Sequence, residues 1–329
     1  MNRIKVLMVG NDPSVKGGIT SVISQILSHD WNADNVKMKF IPTYIEANRF
    51  KQVVFFFNAY LQTAKEIRQN KPSVLHMHMS YKGSFVRKYM LYKLARKNNV
   101  PVMVHLHGSE FKKWYDTCSN SVKNKIKDLL SGSACFIVLG EKWNTIIKEI
   151  EPSANTGIIE NTVHIPEKKA VWQDNLSFLF LGVLIKRKGV YDLLNAIKKV
   201  KAEIGDAEFI IAGTGSEMEK LKKQAEQLQI EDIVKFIGWV DGAKKKQLLE
   251  ECQVMVLPSY NEGLPIAVLE AISYGMPVIS TFVGDIPSAV HHGKNGFLIS
   301  PGNTEALAEN IKTLAQNPSL YASMSRSSR

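Results

Sequence analysis

Short apolar-rich runs alternate with longer segments of helical period along the whole chain, and this alternation constrains the fold most. Ile4–Val9 is such a run, closed by Gly10. Gly17-Gly18 then opens a segment with Ile19, Val22, Ile23, Ile26 and Leu27 on one stripe, the spacing of an amphipathic helix. Val74–Met77, Val102–Leu106 and Phe136–Leu139 continue the rhythm. Phe178–Leu181, Glu208–Ala212, Val234–Phe236, Val254–Leu257 and Val278–Ser280 repeat it in the second half. Strands of this kind, separated by helices, predict parallel sheets covered on both faces. Around ten of them in 329 residues predict an α/β protein of two Rossmann-like, doubly wound domains, 1–165 and 166–329. The boundary falls in Asn161–Asp174, where Pro166 and a Glu-Lys-Lys run interrupt the periodicity.

Other classes are excluded by what is absent. Apolar stretches such as Val53–Phe57 are far short of the ~18 residues that span a bilayer. The N-terminal apolar run is too short for a signal peptide and reads as a buried first strand. Cys118, Cys135 and Cys252 are odd in number and widely spaced, so they predict no disulfide framework and fit a reducing cytosol. The net charge of +11 is unevenly placed. Residues 1–170 hold 25 Lys and Arg against 13 Asp and Glu; the remainder holds 17 against 18. An excess confined to one half points to an acidic partner of that half.

The most informative stretch is Pro258-Ser-Tyr-Asn-Glu-Gly-Leu-Pro-Ile-Ala-Val-Leu-Glu. A strand ends at Leu257, a loop carries Asn261, Glu262 and Gly263, and Pro265 suits the first turn of a helix that Gly275 ends. Such a helix aims its N–H groups and positive dipole end at the carboxyl edge of the sheet, where they suit a phosphate. Glu262 and Glu270 are expected roughly 12 Å apart if the span is helical, about the length of a nucleotide sugar. A second stretch, Phe180-Leu-Gly-Val-Leu-Ile-Lys-Arg-Lys-Gly, places Lys186, Arg187 and Lys188 after another strand, where cations would stabilise a departing diphosphate. Gly17 and Gly18 permit close backbone approach after the first strand, although no G-x-G-x-x-G fingerprint or P-loop is present. Ala212-Gly-Thr-Gly-Ser carries little by itself.

Four histidines sit at two strand ends, His76 and His78, then His105 and His107. His107, followed by Gly108, is the preferred site residue. Zinc ligation is discounted because no carboxylate or cysteine completes a set; ordinary burial is the other alternative. The chain contains no Asp-x-Asp, so no carboxylate pair is in place to hold a divalent ion on a diphosphate. The basic loop and the helix N-terminus are expected to act in its place, with no metal and no cofactor.

In the order and spacing of these elements the chain resembles the retaining glycosyltransferases of family 4, which have the GT-B fold of two Rossmann-like domains facing a cleft. The resemblance rests on Glu262 to Glu270, Leu181-Gly-Val-Leu-Ile-Lys-Arg-Lys-Gly, Gly17-Gly18-Ile19, His105-Leu-His-Gly, Phe236-Ile-Gly-Trp-Val, Gly284-Asp-Ile-Pro and Gly293-Lys-Asn-Gly-Phe-Leu. It implies a nucleotide-sugar donor such as a UDP- or GDP-sugar, held mainly by the second domain. Glu270 would bind the ribose. Glu262, with Asn261 and the backbone of Gly263 and Leu264, would hold the transferred sugar. Lys188, aided by Arg187, would contact the diphosphate, Gly17 and Gly18 would approach the phosphates, and Trp239 and Val240 would lie near the base. His107, Lys188 and Glu262 would be the catalytic set, and transfer would retain anomeric configuration without a nucleophilic carboxylate.

Two departures stand out. Val183 occupies the position where the family usually has Arg, which together with the expected short C-terminal end motivates an alternative: a nucleotide-sugar-binding protein with little or no turnover. The family's last helix, crossing back to the first domain, is expected to be missing, with Thr304–Ala315 followed by a polar stub. The basic excess is expected on Tyr81–Asn99, an amphipathic segment carrying Arg87, Lys88, Lys93, Arg96 and Lys97, and on Lys112, Lys113, Lys123, Lys125 and Lys127. It suggests a cytoplasmic protein peripheral at the inner face of an anionic membrane, extending a lipid-linked surface polysaccharide, with no nucleic-acid partner. A solvated face that aids solubility is the competing explanation.

Overall fold

The computed structural model describes residues 3–168, 170, 172 and 176–328. The predicted linker Asn161–Asp174 therefore lies partly outside the described residues. The chain divides into two compact units, Met1–Asn161 and Thr162–Arg329.

The first unit runs β1 (Ile4–Asn11), α1 (Gly18–Ser28), β2 (Val36–Tyr44), α2 (Arg49–Asn70), β3 (Val74–Met79), α3 (Gly83–Lys97), β4 (Val102–Leu106), α4 (Phe111–Thr117), α5 (Asn120–Gly132), β5 (Cys135–Val138), α6 (Glu141–Ile150) and β6 (Thr156–Ile158). Its strands form one parallel sheet in the order β2-β1-β3-β4-β5-β6. The second unit runs β7 (Ser177–Leu181), α7 (Val190–Val200), β8 (Glu208–Ala212), α8 (Met218–Gln227), β9 (Val234–Gly238), α9 (Gly242–Glu251), β10 (Val254–Leu257), α10 (Ile266–Ser273), β11 (Val278–Thr281), α11 (Ile286–Ala289), β12 (Gly296–Ile299), α12 (Thr304–Gln316) and α13 (Pro318–Ser327). Its parallel sheet has the order β12-β11-β10-β7-β8-β9.

Central strands such as β10 are buried along their whole length, as a sheet covered on both faces requires. Each unit has its own core, with Phe178 and Phe209 stacked at 4.7 Å in the second and Phe111 and Phe136 fully buried in the first. Each sheet also has a point where strand order reverses, between β1 and β3 in one and between β7 and β10 in the other. Loops leaving the carboxyl ends of those strands diverge to opposite faces and leave a crevice, the usual ligand position in open α/β sheets.

Two expectations are corrected. The C-terminal stub is helical: Asn317-Pro318 opens α13, Tyr321 and Met324 one turn apart are buried, and the ring of Trp172 packs on Tyr321 at 5.2 Å. Within Tyr81–Asn99, Lys88 is not part of a solvated basic face. It is 1% exposed on the inner side of α3 and its Nζ donates to Thr43 Oγ1 at 2.6 Å. Arg87 is half-buried, with its guanidinium over the Tyr44 ring at 4.7 Å. Lys93, Arg96 and Lys97 are exposed.

Candidate active site

The reversal point of the second sheet gathers two stretches that are 74 residues apart in sequence. After β7, Lys186–Lys188 forms a single tight 3-10 turn ending at Gly189. Gly189 has φ 72°, and a Cβ there would meet Pro258 O at 2.0 Å, so only glycine fits against the β10 loop. From the other side, Tyr260 N–H donates to Arg187 O at 2.8 Å, and the Arg187 guanidinium donates to Asn261 O. Lys188 Nζ reaches Glu262 Oε1 at 2.5 Å, with Arg187 3.8 Å from Oε2. Glu262 is only 8% exposed, and these two cations offset the cost of burying its carboxylate. Behind it, Gly284 at φ 59° lets the backbone approach Glu262 O; a Cβ there would come within 2.2 Å. Asp285 N–H donates to Gly263 O at 3.0 Å and pins the loop.

Helix α10 starts at Ile266, with Pro265 extended as its N-cap rather than inside the first turn. Glu270 is therefore little more than one turn into the helix, and half of the span from Glu262 is loop. The fully helical 12 Å estimate does not describe it. Glu270 pairs with Lys245 of α9, a residue the sequence reasoning missed. Its only signal was a Lys-Lys-Lys run on a helix, indistinguishable from a solvated surface. Leu264 and Val240 are buried, and Asn261, Gly263 and Trp239 are partly buried. Ala212-Gly-Thr-Gly-Ser braces the basic loop: Leu184 N–H donates to Thr214 O at 2.9 Å, and Gly215 lies against Leu184 O, where a Cβ would be 2.2 Å away. Val183 is partly buried.

In the first unit Gly17, at φ 131°, caps the N-terminus of α1, and neither Gly17 nor Gly18 has an atom within 4 Å of a built Cβ. The buried Thr20 Oγ1 in the first turn has no hydrogen-bond partner among the described residues. His76 and His78 stand on β3, His105 on β4 and His107 just past the end of β4, where register pairs His78 with His105. Their rings stack, His105 on His107 at 4.2 Å and His78 on His107 at 5.1 Å. His78 Nδ1 and His107 Nε2 are hydrogen-bonded at 2.9 Å. Burial pushes His76 down to about 4 and His105 to about 3, and with neighbouring imidazoles holds His78 and His107 well below the usual histidine range. All four are neutral at physiological pH.

The chain is 30% identical over 219 residues to an uncharacterised glycosyltransferase of Haemophilus influenzae, covering 65% of this chain and 62% of that protein. It is 28% identical over 260 residues to the amylovoran biosynthesis glycosyltransferase AmsK of Erwinia amylovora, covering 73% and 60%. The match thus spans about three-fifths of the length of these relatives. Among solved structures, sucrose-phosphate synthase from Thermosynechococcus elongatus aligns with TM-score 0.83 at 17% identity, over 99% of this chain and 93% of that one. Anabaena HepE in complex with UDP and glucose aligns with TM-score 0.75 at 18% identity over the same shares. These two likenesses show the GT-B fold. The family model of the glycosyl transferases group 1 matches residues 164–329, half of the chain and all the charged loops described above, and the chain belongs to that family.

Proposed function

We propose that the protein is a retaining glycosyltransferase that moves a sugar from a nucleotide-sugar donor to a growing, lipid-linked surface polysaccharide. The observation that carries this reading is the union of the basic turn with Glu262 at the strand-order reversal of the second sheet. A diphosphate needs cations at the place where charge develops, and a sugar needs a carboxylate for its hydroxyls. Lys188 and Glu262 neutralise one another until a donor takes both, so neither is left buried and unpaired. Glu270 and Lys245 provide a second carboxylate–ammonium pair for the ribose end. In this scheme no metal is held on the diphosphate; Lys186, Arg187, Lys188 and the start of α10 do that work. His107, kept neutral, is the first unit's catalytic residue. The second unit binds the donor and the first binds the acceptor.

A polysaccharide product is supported by the name of the Erwinia amylovora relative. Membrane association is supported by α2. Phe50, Val53, Val54, Phe57 and Leu61 lie at helical spacing on one side, all exposed, Phe50 by 77%. Among the described residues no helix is long and apolar enough to cross a membrane. An apolar stripe on a basic unit suits shallow insertion between anionic headgroups. Vesicle flotation checks it: wild type rises with anionic vesicles, and the double variant Phe50→Glu with Phe57→Glu stays down. Equal behaviour of the two, or no flotation of wild type at low salt, removes the membrane from the proposal.

The deciding experiment incubates the protein with a panel of UDP- and GDP-sugars and an acceptor extract, following released nucleotide and the anomeric configuration of the product. Turnover with retained configuration supports the proposal. Nucleotide binding without turnover favours the alternative that Val183 motivates, a binding protein whose diphosphate site lacks one cation.

A further inference from the structure

We propose that His76, His78 and His105 form a binding site for one transition-metal ion of the Zn2+ class, separate from the charged loops of the second unit. Three observations converge on it. One ring nitrogen from each histidine lies within 4.8 Å of those of the other two. The Nε2 atoms of all three are buried without a hydrogen-bond partner among the described residues. Their rings stand on adjacent parallel strands on one face, fixed by the register that pairs His78 with His105.

An orphaned buried polar atom costs stability each time it occurs. Three on rings this close share a single remedy, a ligand that accepts three nitrogen lone pairs at once. A cation does this and a hydrogen-bond donor of ordinary size does not. Three neutral imidazoles, with no carboxylate and no thiolate, select a borderline metal such as Zn2+, Co2+ or Ni2+ over Mg2+ or Ca2+. The sequence argument against zinc was that no carboxylate or cysteine completes a set; the sheet completes it with a third imidazole. Three histidines and an open fourth position make a recognised catalytic-type zinc set. Bonds of about 2.0–2.1 Å to a common ion bring tetrahedral ligands to roughly 3.3 Å apart. The rings must therefore close by up to roughly 1.5 Å, which rotation about χ2, a broad torsion, accommodates.

The hydrogen bond from His78 to His107 gives the site a readable consequence. A His78 that binds metal through Nε2 carries its proton on Nδ1. It must then donate to His107 Nε2, which leaves the His107 proton on Nδ1. Metal-bound histidines are ordinarily held by such an outer hydrogen bond. The ion therefore sets the tautomer of His107.

The test uses the full chain, stripped with chelator and titrated with Co2+ while visible absorption is recorded. The expected result is about one Co2+ per chain with the intense d–d bands of a four-coordinate site, displaced by Zn2+. His76→Ala and His105→Ala lose the bands, and His291→Ala, remote in sequence and in the other unit, keeps them. X-ray absorption on Zn2+-loaded wild type covers the case in which a cluster variant does not fold: three imidazoles in the metal shell support the site. Absence of the Co2+ bands in wild type, their persistence in folded His76→Ala, or a metal shell dominated by oxygen overturns it.

Discussion

At the strand-order reversal of the second sheet, the groups that converge are charged: Lys188 and Arg187 on Glu262, and Lys245 on Glu270. Beside the corresponding point of the first sheet, four imidazoles converge and burial holds all of them neutral. The two sheets have closely related orders and place their loops alike, so topology does not make the difference. Loop chemistry does. Opposite charges meeting in a half-buried crevice stabilise one another and remain ready for a charged ligand. Like groups meeting on a buried face lose the proton that would charge them, because burial and the neighbouring imidazoles disfavour a positive charge. The first arrangement suits an anionic substrate, and the second suits an uncharged contact or a metal.

The largest expected effects break the charged side of the comparison. Glu262→Gln leaves Lys188 and Arg187 without their carboxylate and lowers turnover by about 10²–10³ under the proposed transfer reaction. Lys188→Ala is expected to fall in the same range, mainly in kcat. Unchanged steady-state rates in both variants would detach the charged reversal point from the chemistry. Glu270→Ala should weaken nucleotide-sugar affinity about tenfold, ~1.4 kcal/mol, in a calorimetric titration. Lys245→Ala serves as the partner measurement: an equal loss identifies the pair as the recognition unit, and a gain in affinity shows that Lys245 only competes for the carboxylate.

Smaller effects test the packing behind each side. Gly284→Ala forces a Cβ against Glu262 O from a left-handed backbone and should cost about 1–3 kcal/mol, read as a lowered Tm. In the first unit, Lys88 is buried against Thr43, and burial pulls its pKa from 10.5 down to about 7. Between those values the unfolded chain holds a proton that the folded chain does not, so stability rises as pH goes from about 7 to 10. Lys88→Met should flatten that slope in denaturant titrations at several pH values. A slope identical to wild type means that Lys88 keeps its charge when folded.

Most of the architecture is legible in the chain itself. The nine apolar runs all became strands, because interior strands of a parallel sheet are apolar on both faces and so announce themselves without context. The three strands that escape notice, β2, β6 and β12, are all at sheet edges. An edge strand needs less apolar surface: β2 exposes Lys37 and Lys39 in alternation, and β6 has only three residues. The C-terminal helix α13 escapes for a related reason, since Leu320, Tyr321 and Met324 are its large apolar residues in a serine-rich stretch, too few to show a period.

Of the candidate site, Glu262, Glu270, Arg187 and Lys188 stand out as residue types framed by glycine and proline at the ends of recognisable strands. Their pairing does not. Lys188 and Glu262 meet because β7 and β10 are neighbours, and strand order is decided by how all the crossovers pack, not by either segment alone. Lys245 and Lys88 show the same limit from two sides. Each is one cation in a run of charges on a helix. Whether it faces a carboxylate, a threonine in the core or water depends on the element packed across from it. The sequence by itself determined the order of strands and helices, the central strands and the loops in which charge gathers, because these are encoded in local periods and breakers. Tertiary structure decided which loops meet, which cation is buried and which three imidazoles share one point, because those are contacts between segments whose spacing in sequence carries no physical force.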